Sequence, residues 1–341
     1  NDRAATQPLL LVVFIHGWHH NADENDGNVK SFKQFLSQLQ YEEDNISFAS
    51  NKRQVVGVYI GWRGESNESL LNPLTYRTRK LAGLRVGEYG LQEILVELKA
   101  VRNSNDKNRL VSIGHSFGGG VLYSSVMQNL VDSVVSSSSE NATSLTKTNK
   151  AYGDLVILLN PALEAARVET LNRRLRGIQF DQCQPLVLAS FTSEKDTALS
   201  NAFPKGQSLF FLDDGRVADA SDHRDLVTTS YGNKNSYQTH ELTCDTCNYS
   251  LSPSYLTSDL YKAAQTTWEK FRKSDGAEFD VGTIKLKRAP QSEIHAGTPI
   301  MNVYVKGGTL MKEHNDIWGG DFSMFARALI GMEFSRNSTC R

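Results

Sequence analysis

The residues Leu9-Leu10-Leu11-Val12-Val13-Phe14-Ile15 include no polar side chain and stop at His16-Gly17. A strand with one wet face alternates apolar and polar residues, whereas a strand without alternation is covered on both faces, as in a parallel sheet between helices. That single run confines the chain to a layered α/β architecture. Val29, Phe32, Phe35, Leu36 and Leu39 recur at helical spacing before a second strand, Val55 to Ile60, which completes a β-α-β unit.

The pattern repeats. Leu81, Leu84, Leu91, Leu95 and Leu98 predict a helix, Arg109 to Ile113 a strand ending at Gly114, and Val121, Leu122, Val126 and Leu130 the helix after it. Val134 to Lys150 is rich in Ser, Thr, Asn and Lys and reads as a solvated loop. Strands follow at Leu155 to Leu159, closed by Asn160-Pro161, and at Leu186 to Phe191, with Leu163, Ala166, Leu171 and Leu175 on a helix between them. Five strands alternating with helices predict a mostly parallel, doubly wound sheet.

From about Phe203 to Pro299 this rhythm breaks. The segment has one predicted helix, through Tyr261, Ala264, Trp268 and Phe271, and reads as a cap-like insertion above the sheet. Regular grammar returns with the strand Ile300 to Val305 and a last helix bearing Phe322, Phe325, Ala326 and Leu329. The expected division is a core over residues 1–202, an insertion over 203–298, and a closing strand, loop and helix over 299–341. A chain of 341 residues with 39% hydrophobic content can bury one large core around this plan.

Charge selects no partner: the formal net charge is -1, which supplies no field to draw in nucleic acid or an anionic membrane. No apolar run approaches the roughly 20 residues that span a bilayer. The chain opens on Asn1 and not Met, as a processed or trimmed chain does. Cys183, Cys244, Cys247 and Cys340 suffice for two disulfides, and sequons stand at Asn45, Asn67, Asn141, Asn248 and Asn337. Together these features lean towards an exported, extracytoplasmic protein.

Chemistry concentrates at Gly114-His115-Ser116-Phe117-Gly118, between a predicted strand and a predicted helix. A serine nucleophile must be exposed, given a base and backed by groups that stabilise an oxyanion. Glycines on either side permit the sharp strand-to-helix turn that projects the hydroxyl. With His16-Gly17-Trp18 following the first strand, this turn resembles the nucleophile elbow and oxyanion loop of α/β-hydrolase lipases and esterases. The resemblance implies an α/β-hydrolase fold and a serine esterase or lipase acting through an acyl-enzyme without a cofactor.

In that superfamily the oxyanion is held by the N–H after the nucleophile and one from the H-G-x loop, which here implies Phe117 and Trp18. His16, Gly17 and His115 are candidates for the substrate pocket. The chain order Ser, then Asp or Glu, then His leaves His223, His240, His295 and His314 as bases. Only His314 follows a late strand and precedes the terminal helix. The turn Thr192-Ser193-Glu194-Lys195-Asp196 supplies the acid, Asp196 first and Glu194 as runner-up.

Neither His19-His20-Asn21-Ala22-Asp23 nor His240 with Cys244 and Cys247 completes a metal-ligand spacing, and a local disulfide or free thiols suit the C-x-x-C pair better than zinc. The expected partner is a small-molecule or lipid ester, with peripheral lipid contact left open. Phospholipase, thioesterase, peptidase and a non-catalytic binding protein stand as alternatives on the same fold.

Overall fold

A computed structural model of the chain describes residues 7–46, 52–62, 80–83, 85–137, 144–145, 153–181, 183–212 and 221–335. Leu84, Cys340 and the sequons at Asn67, Asn141 and Asn337 lie outside them. Strand β1 (Leu9–Ile15) lies inside a nine-stranded sheet and alternates between two cores. Leu10, Val12 and Phe14 join one, and Leu9, Leu11, Val13 and Ile15 join the other. Full burial of such a side chain contributes about 1.5–3 kcal/mol, so a run with no polar member is stable only where both faces are covered.

Helix α1 (Gly27–Asn45) follows, its start capped by Asp26, whose carboxylate accepts the Asn28 N–H. Strand β2 (Gln54–Ile60) pairs parallel with β1. A π-helical turn at Val86–Gly90 opens into α2 (Leu91–Asn103), which leads to β3 (Arg109–His115) and α3 (Phe117–Ser137). Next come the two-residue β4 (Ser144–Leu145), β5 (Leu155–Leu159), α4 (Ala165–Leu175), β6 (Gln179–Phe180), which pairs with β4, and β7 (Leu188–Ser193).

A second π-helical turn, Ala198–Ala202, runs into α5 (Phe203–Leu212), followed by α6 (Ser221–Thr228) and β8 (His240–Thr243). The chain closes with α7 (Ser258–Phe271), β9 (Phe279–Val281), β10 (Ile284–Arg288), β11 (Ile300–Val305) and α8 (Gly320–Phe334). Sheet order is β2-β1-β3-β5-β7-β11-β8-β10-β9. Neighbours are parallel from β2 to β8 and antiparallel at the β8–β10–β9 edge. Residues of α1, α7 and α8 fill the core on one face, and those of α2, α3 and α4 the core on the other.

Two expectations need correction. The segment 203–298 does not lie above the sheet as one cap. Within it, β8, β10 and β9 lengthen the sheet itself. In Ile284-Lys285-Leu286-Lys287 the two apolar residues are buried, Lys285 is exposed and Lys287 half-buried, which is the period of a half-covered strand. Trp268 and Phe271 of α7, with Phe279, lie in the core that this edge shares with β11. The predicted loop from Val134 also starts late, because buried Val134 continues the Leu130 face of α3 to Ser137. Residues 138–143 and 146–150 of that stretch lie outside the described residues.

Candidate active site

The turn between β3 and α3 is tight enough that its residue types are dictated by contact. A Cβ on Gly118 would stand 2.3 Å from the Ile15 carbonyl oxygen, and one on Gly114 would stand 2.8 Å from the Gly118 carbonyl oxygen. Between them Ser116 takes φ 54°, a left-handed conformation that costs a side-chain-bearing residue of order 1 kcal/mol or more. The neighbouring strand end holds it there: the Ser116 N–H donates to the Leu159 carbonyl at 3.0 Å, and the Ala162 N–H donates to the Ser116 carbonyl at 2.9 Å.

Ser116 Oγ lies 2.7 Å from His314 Nε2, and His314 Nδ1 lies 2.7 Å from Asp196 Oδ2. Asp196, 1% exposed, follows β7 and also accepts the Leu199 N–H at 2.9 Å, so one carboxylate both starts the π-helical turn and faces the imidazole. Glu194 is not brought there; it is exposed and accepts the Gly307 N–H at 2.8 Å. Of the other late histidines, His240 is buried in β8, pushed down to about 3 by burial and by Arg272 and Arg288, while His295 pairs with Asp275 at 2.9 Å. His223 falls on α6.

A cleft of about 500 Å³, counting the space open to solvent, has Ser116 and His314 among its walls. Trp18, Phe117 and Ala162 form one side, Ala198, Leu199, Ala202 and Phe203 another, and His19 and Asn315 add polar groups. Trp18 and Phe117, the residues expected at the oxyanion position, meet edge to face with ring centroids 5.8 Å apart. The 198–203 wall, on the π-helical turn and the start of α5, was not singled out in the sequence. Its apolar residues look there like any short buried helix.

The expected pocket residues His16, Gly17 and His115 are not among the residues lining this cleft. His16 is fully buried: Nδ1–H donates to the Gly17 carbonyl at 2.7 Å, Nε2 accepts the Trp62 N–H at 3.1 Å, and burial lowers its pKa. Gly17 lets β1 run on close to the elbow, since a Cβ there would come within 2.9 Å of the Ser116 Cβ. His115 is buried behind Ser116, and burial holds its pKa well below the ordinary value. These three shape the site from behind.

Elsewhere, His20 pairs with Asp26 at 3.1 Å, the N-cap of α1. Cys244 and Cys247 form a disulfide, and Cys183 is disulfide-bonded as well. Among the described residues no group of three or more His, Cys, Asp or Glu is arranged to hold a metal ion. No helix among them is long and apolar enough to cross a membrane.

The parallel order β2-β1-β3-β5-β7-β11, with a serine at the β3–α3 turn, a carboxylate after β7 and a histidine after β11, defines the α/β-hydrolase fold. No sequence-family model and no curated protein sequence matches the chain. Solved structures similar to it include esterase PE8, at 15% identity and TM-score 0.30, covering 61% of this chain and 81% of that one. The RedJ thioesterase from the prodiginine pathway of Streptomyces coelicolor is 11% identical at TM-score 0.27, covering 57% and 70%. Phospholipase PlaB from Legionella pneumophila, in complex with thio-NAD, is 14% identical at TM-score 0.26, covering 53% and 38%. Likenesses of this size do not assign an activity.

Proposed function

We propose that this protein is a serine hydrolase that cleaves carboxylic esters with apolar acyl groups through an acyl-enzyme. The observation that carries the reading is the continuous chain Ser116 Oγ, His314, Asp196, at 2.7 Å and 2.7 Å, opening on a largely apolar cleft. His314 Nε2 takes the Ser116 proton as Oγ attacks the ester carbonyl, and the backbone N–H groups of Phe117 and Trp18 hold the oxyanion. His314 then returns the proton to the departing alcohol. Water, deprotonated by the same nitrogen, releases the acid.

Asp196 keeps the proton of neutral His314 on Nδ1, which leaves Nε2 free to accept, and it stabilises the imidazolium that forms. The scheme needs no cofactor. Trp18, Phe117, Leu199 and Phe203 offer an acyl chain apolar surface worth about 25 cal/mol per Å² removed from water. The disulfides suit an oxidising compartment, which supports the reading of the protein as extracytoplasmic. Cell fractionation with alkylation of any free thiols tests the placement.

Labelling by a fluorophosphonate, followed by peptide mapping, is expected to put the adduct on Ser116. Ser116→Ala is expected to lower turnover of p-nitrophenyl esters by about 10⁴-fold or more. Wild-type turnover in that variant would refute the mechanism. A parallel panel of a thioester, a phospholipid and an amide separates the esterase reading from its neighbours on the fold.

A further inference from the structure

The peptide carbonyl of His314 is held from two directions. Asn160 Nδ2 donates to it at 2.8 Å, and His115 Nε2 donates to it at 3.0 Å. Asn160 Oδ1 meanwhile accepts the Ser193 N–H at 2.9 Å, at the end of β7 and three residues before Asp196. A backbone N–H can only donate and a carbonyl can only accept, so these two partners settle which end of the Asn160 amide faces which loop. One small side chain thus ties the acid turn to the base loop. The main chain beside it, at Leu159 and Ala162, holds both backbone polar groups of Ser116.

Asn160 is fully buried and takes φ 42° immediately before Pro161, a conformation disfavoured for a residue preceding proline. His19, Ser116 and Asn160 are the only non-glycine residues with positive φ among those described. His19 and Ser116 line the cleft, and Asn160 stands behind it. Strain that persists is strain the surroundings enforce.

We infer that Asn160 and His115 are positioning residues, a two-donor clamp on the His314 main chain that sets the imidazole between Ser116 and Asp196. The inference rests on the triad reading. Other contacts hold the ends of the base loop: Thr309 Oγ1 donates to the Cys244 carbonyl at 3.0 Å, and Tyr249 Oη donates to Asp316 at 2.9 Å. The clamp acts on the peptide of His314 itself. His115 donates through Nε2 while its Nδ1, buried and without a partner, faces Gly17. Burial keeps it neutral, so no second cation forms 5.2 Å from the ring that must become imidazolium.

Asn160→Gly removes the donor and relieves the left-handed strain. With His115→Ala and Ser116→Ala beside it, ester kinetics, fluorophosphonate labelling rate and thermal unfolding test the clamp. A misplacement near 1 Å costs on the order of 10²-fold in rate. Asn160→Gly is accordingly expected to lower kcat and the labelling rate together by about 10- to 100-fold, with KM within about 2-fold. Wild-type kcat and labelling rate in folded Asn160→Gly overturn the clamp. Should that variant fail to fold, the same two readings in His115→Ala decide it. Activity surviving in Ser116→Ala overturns the triad instead.

Discussion

The carboxyl edge of the parallel strands and the β8–β10–β9 edge of the same sheet each set a histidine next to charged or polar partners, yet they place it in opposite surroundings. At the extension, His240 is sealed against Phe271, hydrogen-bonded to Thr239 and held in the field of Arg272 and Arg288, with Asp275 opposing them. At the parallel edge, His314 is 17% exposed in its side chain, wedged between a carboxylate and a hydroxyl, and opens on a cleft. All the non-glycine left-handed residues among those described lie at that second edge. One region seals its polar groups into a core, and the other holds its left-handed residues and a hydrogen-bonded serine, histidine and carboxylate beside a cleft.

Asp196→Asn is the sharpest way to break the contrast. With the wrong imidazole tautomer favoured, kcat for ester hydrolysis is expected to fall by about 10⁴-fold while unfolding stays cooperative. Near-wild-type turnover would leave Asp196 as a cap of the π-helical turn and nothing more. The mirror experiment is Trp268→Ala in the extension. Removing that buried indole is expected to cost about 3–5 kcal/mol, read as a lowered urea midpoint. Activity per active site, titrated with the fluorophosphonate, should stay within about 2-fold, because α7 contributes no residue to the lining of the cleft.

Smaller effects refine the picture. Ala202→Trp places a ring in the cleft and is expected to lower kcat/KM for octanoate esters by about 100-fold relative to acetate esters, on the order of the 2–3 kcal/mol that lost acyl burial costs. Equal losses on both chain lengths would move the acyl chain to another wall. The smallest effect concerns His240. Its pKa is lowered in the fold to about 3, so the folded state binds fewer protons than the unfolded one. The stability this brings is present above pH 6.5 and is lost as pH falls towards 3. Wild type is expected to lose about 2 kcal/mol at pH 5 through this residue, and His240→Asn that much less, measured as urea midpoints at pH 7 and pH 5. His16 and His115, whose pKa values are also lowered, add to the same acid loss in both proteins.

Much of the site is legible before folding because the signals are local or ordinal. The apolar runs at Leu9 to Ile15 and Leu155 to Leu159 specify strands covered on both faces, and Gly114 and Gly118 permit the elbow. The order of Ser116, Asp196 and His314 along alternating elements brings them to one sheet edge, since parallel strands all end on the same side. What escapes is pairwise. Asn160-Pro161 reads only as the end of a strand, and nothing within a few residues of it reveals that its amide joins Ser193 to His314, 33 and 154 positions away.

By itself, then, the chain determines the parallel core, the elbow at Ser116 and the neighbourhood of its partners, because periodicity, glycine sterics and chain order are properties of short stretches and their sequence. The tertiary structure decides that 240–288 extends the sheet, that His16, Gly17 and His115 stand behind the cleft and not in it, and that Asp196 rather than Glu194 faces His314. Each of these depends on which side chain a distant element presents. The physical reason is burial: a residue's solvent, charge and hydrogen-bond partners come from whatever packs against it, and that is not written beside it in the chain.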